Sequence, residues 1–345
     1  MGLIKTFLML VVALFILTIT GLIIAEILLG FSPFSQGVAY STQAASSTVY
    51  VQNGVSGVVT LTDPLQGKTV NININYDPLD SGSGVIVSNN GYIITAFHVI
   101  GDPTAVENNQ LEVMSSNDVL NYVEDAAVTS YISQDDPQLG VELLNNNTSN
   151  SNFQMNTNNI NTIVELLNQE NLIKADSYEQ DIKVKLPSTT NYLNASLVDV
   201  GDPNTDEDVA LLKINANNLP ALSINSQQPT NGESLRIYGY PGNSTQSQYD
   251  QNSTVIPSSS AGNLQSEVTN NFDTVYYESS ATATSGYSGG PVVDSQNNVL
   301  GIIIYSLGSD NGFRQNSNNT ESSAFLSSQY LIQICNENNV HITED

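Results

Sequence analysis

The chain has 345 residues and a formal net charge of −26, from 34 Asp and Glu against 8 Lys and Arg. Charged residues are only 12% of the chain, about half the usual share, so Asn, Gln, Ser and Thr must supply the polar surface. A surface this poor in cations repels phosphate backbones, which excludes nucleic acid as a partner, and it also disfavours acidic peptides.

Residues 7–25 are 19 in a row without a charge, and Ile27–Gly30 extend the run past Glu26. At ~1.5 Å per residue such a helix nearly crosses a hydrocarbon core of ~30 Å. The apolar region of a cleaved signal peptide is shorter, so a retained anchor over residues 6–29 is expected. Lys5 is the only base near it, which predicts a cytoplasmic N-terminus and an extracytoplasmic remainder. Cleavage of the same segment would make the protein secreted. The anchor is assigned to 1–30 and a Ser-, Gln- and Ala-rich linker to 31–48.

From residue 49 the pattern changes to short β-type runs. VYVQNGVSGVVTLTD, TVNININYD and GVIVSNNGYIITAFHVI alternate or run apolar over strand lengths, with Asn90-Gly91 as a hairpin signal. Residues 102–180 break that rhythm. EVMSSNDVLNYVEDAAVTSYI and INTIVELLNQENLIKA carry helical spacing between Asn-rich tracts, which predicts a partly helical insertion with mobile joints. Strands resume at IKVKL, YLNASLVDV and VALLKI, and a second β-rich segment runs over 223–325. A short amphipathic helix and tail, 326–345, close the chain. Its lone cysteine, Cys335, cannot form an intramolecular disulfide and is expected to act as a small buried hydrophobe. The predicted class is all-β: two antiparallel barrels, 49–101 with 181–222 and then 223–325.

Three local patterns carry chemistry. Thr95-Ala96-Phe97-His98-Val99 is placed at the end of a strand, Asp208 directly precedes VALLKI, and Gly286-Tyr287-Ser288-Gly289-Gly290-Pro291 follows in the second β segment. A serine hydroxyl is a poor nucleophile and needs a base beside it. Imidazole titrates near neutrality and can take that proton and return it. A carboxylate fixes the imidazole tautomer, and glycines around the serine let backbone N–H groups face a developing oxyanion.

These stretches resemble the chymotrypsin-like superfamily, and specifically its HtrA/Deg-like branch. The resemblance covers Ser81–Ile100, Asp181–Ile214 and Glu278–Ile304, and Gly239-Tyr240-Pro241-Gly242 is similar to that family's Gly-x-Pro element. It implies a serine endopeptidase with His98 as base, Asp208 as its orienter and Ser288 as nucleophile. Gly286 and Ser288 would donate the oxyanion-hole N–H groups. It also places Thr282, Ala283 and Thr284 along a substrate pocket, with Tyr305, Ser306 and Leu307 on the facing strand. Peptides or unfolded proteins are the implied substrates, in protein quality control, with neither metal nor organic cofactor. Tyr287 departs from the Asn or Asp common before the nucleophile, which leaves open how the serine loop is held. His98 and Asp208 lie 110 residues apart, a separation the insertion explains. No PDZ-like stretch is read after the second β segment.

Two other functions compete. Gly286-x-Ser288-x-Gly290 also fits the nucleophile elbow of α/β-hydrolases. That fold needs a helix after the serine, whereas Gly-Gly-Pro-Val-Val argues for strand, and the only later histidine, His341, reads as a tail residue. A catalytically silent, cell-surface peptide-binding domain of the same fold stays open, kept alive by Tyr287 and the insertion. For residues 102–180, a lid, a passive decoration and a partner-docking surface all remain open.

Overall fold

The computed structural model describes residues 42–108, 110–147, 156–242, 254–307 and 322–345. The expected anchor falls outside them. No helix among the described residues is long and apolar enough to cross a membrane.

The β-type runs of the first half form β1 (Thr48–Asp63), β2 (Lys68–Ile86), β3 (Tyr92–Thr95), β4 (Ile173–Lys185), β5 (Tyr192–Val200) and β6 (Ala210–Ile214). They close into a barrel in the order β1-β2-β3-β6-β5-β4. The Asn90-Gly91 turn between β2 and β3 uses Gly91 at φ 100°, where a side chain would strike the Ile214 carbonyl. A second closed barrel, β10-β11-β12-β9-β8-β7, is built from β7 (Ser234–Gly239), β8 (Ser258–Thr269), β9 (Val275–Ser279), β10 (Pro291–Val293), β11 (Val299–Leu307) and β12 (Ser322–Ser327). Closure leaves no open sheet edge in either. One buried apolar cluster runs through both, joining Val85, Ile94 and Leu211 to Tyr238, Val293 and Leu326.

Several boundaries differ from expectation. Thr42–Ser47, inside the expected linker, is a short helix α1. The strand before His98 stops at Thr95, and Phe97–Ile100 form a one-turn helix α2, so His98 sits on a helical turn rather than a strand end. Strand β4 starts at Ile173, so 173–180 belongs to the first barrel and not to the insertion. The misreading has a physical reason: most side chains from Lys174 to Glu179 are exposed, which erases the apolar alternation.

The insertion carries α3 (Pro103–Glu107), α4 (Ser116–Gln134), α5 (Pro137–Asn147) and α6 (Thr157–Gln169). A reciprocal capping box joins Ser115 and Asp118 at the start of α4, and the Asn156 side chain caps α6. Val123, Val128 and Ile132 of α4, with Ile163 and Leu167 of α6, pack on Val55, Val59 and Leu61 of β1. Each such burial contributes ~1.5–3 kcal/mol relative to exposure, so the helices are a second hydrophobic core seated on the barrel wall. The Asn-rich joint at 148–155, expected to be mobile, lies outside the described residues.

Helix α7 (Ser328–Glu337) follows β12 and buries Leu331, Ile334 and Cys335 in the shared cluster. Burial pushes the Cys335 thiol up to about 12, the behaviour of an inert hydrophobe. The tail is tied down by a bond from the Ile224 amide to the Thr343 carbonyl at 2.8 Å, while His341 is exposed.

Candidate active site

Strand register explains how two residues 110 positions apart meet. β3 and β6 pair antiparallel with Thr95 opposite Ala210 and Ile94 opposite Leu211. Continuing that register past the strand ends brings Asp208 level with Phe97, beside His98. The one-turn helix then buries Phe97, Val99 and Ile100 and leaves His98 partly exposed, its side chain at 17%.

Asp208 is fully buried and grips His98 twice. Its Oδ2 lies 2.7 Å from the imidazole Nδ1, and its Oδ1 accepts the His98 backbone N–H at 2.9 Å. An ionised carboxylate only accepts, so this contact places the neutral ring's proton on Nδ1 and leaves Nε2 as the acceptor. The backbone bond also satisfies an N–H that the short turn leaves without a helical partner.

The second barrel holds the segment before Asp208. Asn270 Nδ2 donates to the Thr205 carbonyl at 3.1 Å, Thr274 Oγ1 donates to the same carbonyl, and Tyr276 OH donates to the carbonyl of Asp206. Asp206 itself is left-handed, at φ 62°.

Ser288 stands between β9 and β10 on a loop whose carbonyls are pinned one after another. Gly242 N–H donates to the Ser285 carbonyl at 2.7 Å and Gly290 N–H to the Tyr287 carbonyl at 2.8 Å. A trans peptide points its N–H opposite its C=O, so these two bonds fix the directions of the Gly286 and Ser288 N–H groups. Neither of those N–H groups donates to an acceptor among the described residues. Gly286 at φ 91° and Gly289 at φ 80° make the turn, and a side chain on Gly289 would strike the Ser83 carbonyl and Thr95 Oγ1. The Ser288 hydroxyl donates to the Ile304 carbonyl at 3.3 Å, and its own carbonyl accepts from Ser83 N–H at 2.7 Å. A Cβ on Gly82 would lie 2.8 Å from that carbonyl and 2.7 Å from Val99 Cγ2, so the serine loop rests against the His98 segment.

Tyr287 turns out to be an apolar anchor. It is buried in the second-barrel cluster with Leu235, Ile237 and Val292, its ring against Gly239, where a Cβ would be 2.7 Å from it. Among the expected pocket residues, Ala283 is buried, Thr282 is exposed and Thr284 is half-buried. Thr284 Oγ1 is shut from solvent without a hydrogen-bond partner among the described residues. Tyr305, Ser306 and Leu307 follow Ile304 on β11 opposite Ala324, Ser323 and Ser322, and their side chains lie outside the described residues.

Three residues near the site escaped the sequence reading as functional candidates. Ser83 on β2 is fully buried between the barrels. Tyr240 in the Gly-Tyr-Pro-Gly turn donates its hydroxyl to the Thr48 carbonyl at 3.0 Å and meets the Tyr50 ring edge-on, anchoring that turn in the first barrel. Asp80, four residues before Gly84 in Asp-Ser-Gly-Ser-Gly, lies close enough to feel the charge of His98; partial burial pushes its carboxyl up and the imidazole opposes that. Asp80 and Ser83 lie beside and within the small-residue run Ser81–Gly84, and Tyr240 lies in the Gly-x-Pro element, the local signals that could have marked them.

No curated protein matches the chain. A family model described as a trypsin-like peptidase domain matches residues 82–302, about two thirds of the sequence, from the end of β2 into the start of β11. With that match over two closed six-stranded antiparallel barrels, the chain belongs to the trypsin-like peptidase domain family.

Proposed function

We propose that the protein is a serine endopeptidase in which Ser288 is the nucleophile, His98 the general base and Asp208 the residue that orients and supports the imidazolium. The observation that carries this reading is the double grip of buried Asp208 on His98, at 2.7 and 2.9 Å, next to a serine loop whose Gly286 and Ser288 N–H groups donate to no acceptor among the described residues. His98 Nε2 takes the Ser288 proton as Oγ attacks the scissile carbonyl. The Gly286 and Ser288 N–H groups receive the oxyanion, and the imidazolium returns the proton to the leaving amine. Water, deprotonated by the same nitrogen, then cleaves the acyl-enzyme. The Ser288 hydroxyl must swing away from Ile304 first, and a bond of 3.3 Å is weak enough to allow it.

Similarity to the HtrA/Deg-like branch favours unfolded proteins as substrates and a quality-control role. Residues Ser279–Pro291 contain no charged side chain, which favours a small or medium apolar residue before the scissile bond. The uncharged run 7–25 favours a membrane-anchored enzyme acting outside the cytoplasm. Carbonate washing tests the anchor: full-length protein should stay with the membrane, and a mature N-terminus between residues 31 and 47 would replace it with secretion.

An active-site-directed fluorophosphonate tests the chemistry without a known substrate. Wild-type protein should be labelled at Ser288, and Ser288→Ala should not be labelled although it folds. An unlabelled wild type would favour the silent peptide-binding domain instead.

A further inference from the structure

Four successive carbonyls of the serine loop are held, and two of the four bonds come from one residue of the other barrel. Ser83 donates its hydroxyl to the Gly286 carbonyl at 2.7 Å and its N–H to the Ser288 carbonyl at 2.7 Å. The same hydroxyl oxygen accepts the Tyr240 N–H at 3.0 Å, and the Ser83 carbonyl accepts from Thr95 Oγ1 at 2.7 Å. A hydroxyl has one proton to give, so the direction of this relay is set: Tyr240 N–H to Ser83 Oγ to Gly286 C=O. Every polar group of Ser83 is engaged, and the residue is fully buried.

The location gives these bonds a consequence. The peptide from Gly286 to Tyr287 lies between the two peptides whose N–H groups, those of Gly286 and Ser288, donate to no acceptor among the described residues. Its N–H closes a turn onto the Thr284 carbonyl at 3.1 Å, and its carbonyl points at Ser83. Rotation of that one peptide swings the Gly286 and Ser288 N–H groups apart. Gly286 has no side chain to resist such a rotation, and the packing of the Tyr287 ring constrains the side chain more than the peptide, so the plane is held by the bonds at its two ends, Tyr287 N–H to Thr284 and Gly286 C=O to Ser83. The Ser83 hydroxyl is thus the restraint on the carbonyl side of the middle peptide, supplied across the barrel interface from β2.

We propose that Ser83 is a positioning residue for the oxyanion site, making competence of the second-barrel loop conditional on docking of the first barrel through the relay Tyr240–Ser83–Gly286. The inference rests on the peptidase reading above. Ser83 touches no reacting atom. Its effect passes through the Gly286 carbonyl, so it should appear in the chemical step and not in the His98–Asp208 pair.

The experiment is the second-order rate of fluorophosphonate labelling in wild type, Ser83→Ala and Ser83→Cys, which retains volume with a much weaker donor. A phosphonyl oxygen enters the same N–H pair as the reaction proceeds, so loss of their alignment should slow labelling by about 10- to 100-fold in both variants. Two controls accompany it: thermal melting, and the low-field proton NMR signal of His98 Nδ1–H against Asp208. Slow labelling with a cooperative melt and an unchanged low-field signal supports the assignment. Labelling within about twofold of wild type overturns it, and so does slowing that comes with loss of the low-field signal, which would mark general disruption. Absence of labelling in the wild type would instead remove the peptidase reading and this inference with it.

Discussion

The Gly242 amide and the Ser285 carbonyl are joined at 2.7 Å, and because the Ser285–Gly286 peptide is planar this bond fixes the direction of the Gly286 N–H, opposite that carbonyl. Gly242→Pro removes the donor and sets a ring methylene against that carbonyl. Gly242→Ala keeps the donor, and its Cβ would stand 3.4 Å from Ser285 O, an ordinary contact. Fluorophosphonate labelling should fall by about 10- to 1000-fold in the proline variant and by less than about threefold in the alanine variant, given the usual worth of one oxyanion donor. Equal rates in the two would mean that this amide does not set the loop.

The two bonds from Asp208 predict a particular failure in Asp208→Asn. An amide can still occupy the site, but one of its two heads is a donor, so either the His98 backbone N–H or the ring nitrogen loses an acceptor. With the ring no longer held as the Nδ1–H tautomer, kcat/KM for any peptide ester that the wild type cleaves should drop on the order of 10³- to 10⁴-fold. The low-field Nδ1 proton should vanish while melting changes by only a few degrees. A drop of less than tenfold would put Asp208 outside the catalytic group.

How much of this was legible beforehand divides along a physical line. The motifs around His98, Asp208 and Ser288 are local, and the apolar runs that make β3 and β6 are strong, so the candidate residues, the meeting of His98 with Asp208 and the two-barrel class could be read directly. The parts that failed are long-range or solvated. The Ser83–Gly286 bond spans 203 positions and joins two of the commonest small residues, so no local pattern marks it. The first half of β4 is exposed and lacks alternation, which moved the insertion's end to 180 instead of 172. The packing of α4 and α6 on β1 was hidden because amphipathic spacing tells that a face is buried and not against what.

That packing yields a prediction about the insertion. Ile163 of α6 is fully buried in the cluster with Val123, Leu167 and the β1 residues Val59 and Leu61. Ile163→Ala should cost about 2–4 kcal/mol of stability, from lost transfer energy and the cavity left behind. Labelling of Ser288 well below the melting temperature should stay within about twofold, since this core lies on the barrel wall away from the serine loop. Replacing the whole of 105–178 by a short linker would also remove the first residues of β4 and bare Val55, Val59 and Leu61. A stable, soluble protein from that replacement, with Ile163→Ala neutral, would show the helices to be a loose decoration after all.

Asp80 should set part of the pH dependence of activity. Its carboxyl is pushed up by partial burial and drawn back by the charge of His98. The coupling is mutual: an ionised Asp80 favours the imidazolium, so His98 holds its proton to higher pH than it would alone. A protonated His98 cannot act as base, and the acid limb of kcat/KM reports its titration in the free enzyme. Asp80→Asn removes the negative charge, His98 then sheds its proton more readily, and the acid limb moves to lower pH. Asp80 is an exposed residue, so solvent screens the interaction and the displacement should be small. The plateau at higher pH should be unchanged, and raising the salt concentration should shrink the difference between variant and wild type. An acid limb that stays in place at low salt would mean that Asp80 is uncharged where His98 titrates or too well solvated to act on it. A limb that moves upward would contradict the sign of the coupling itself.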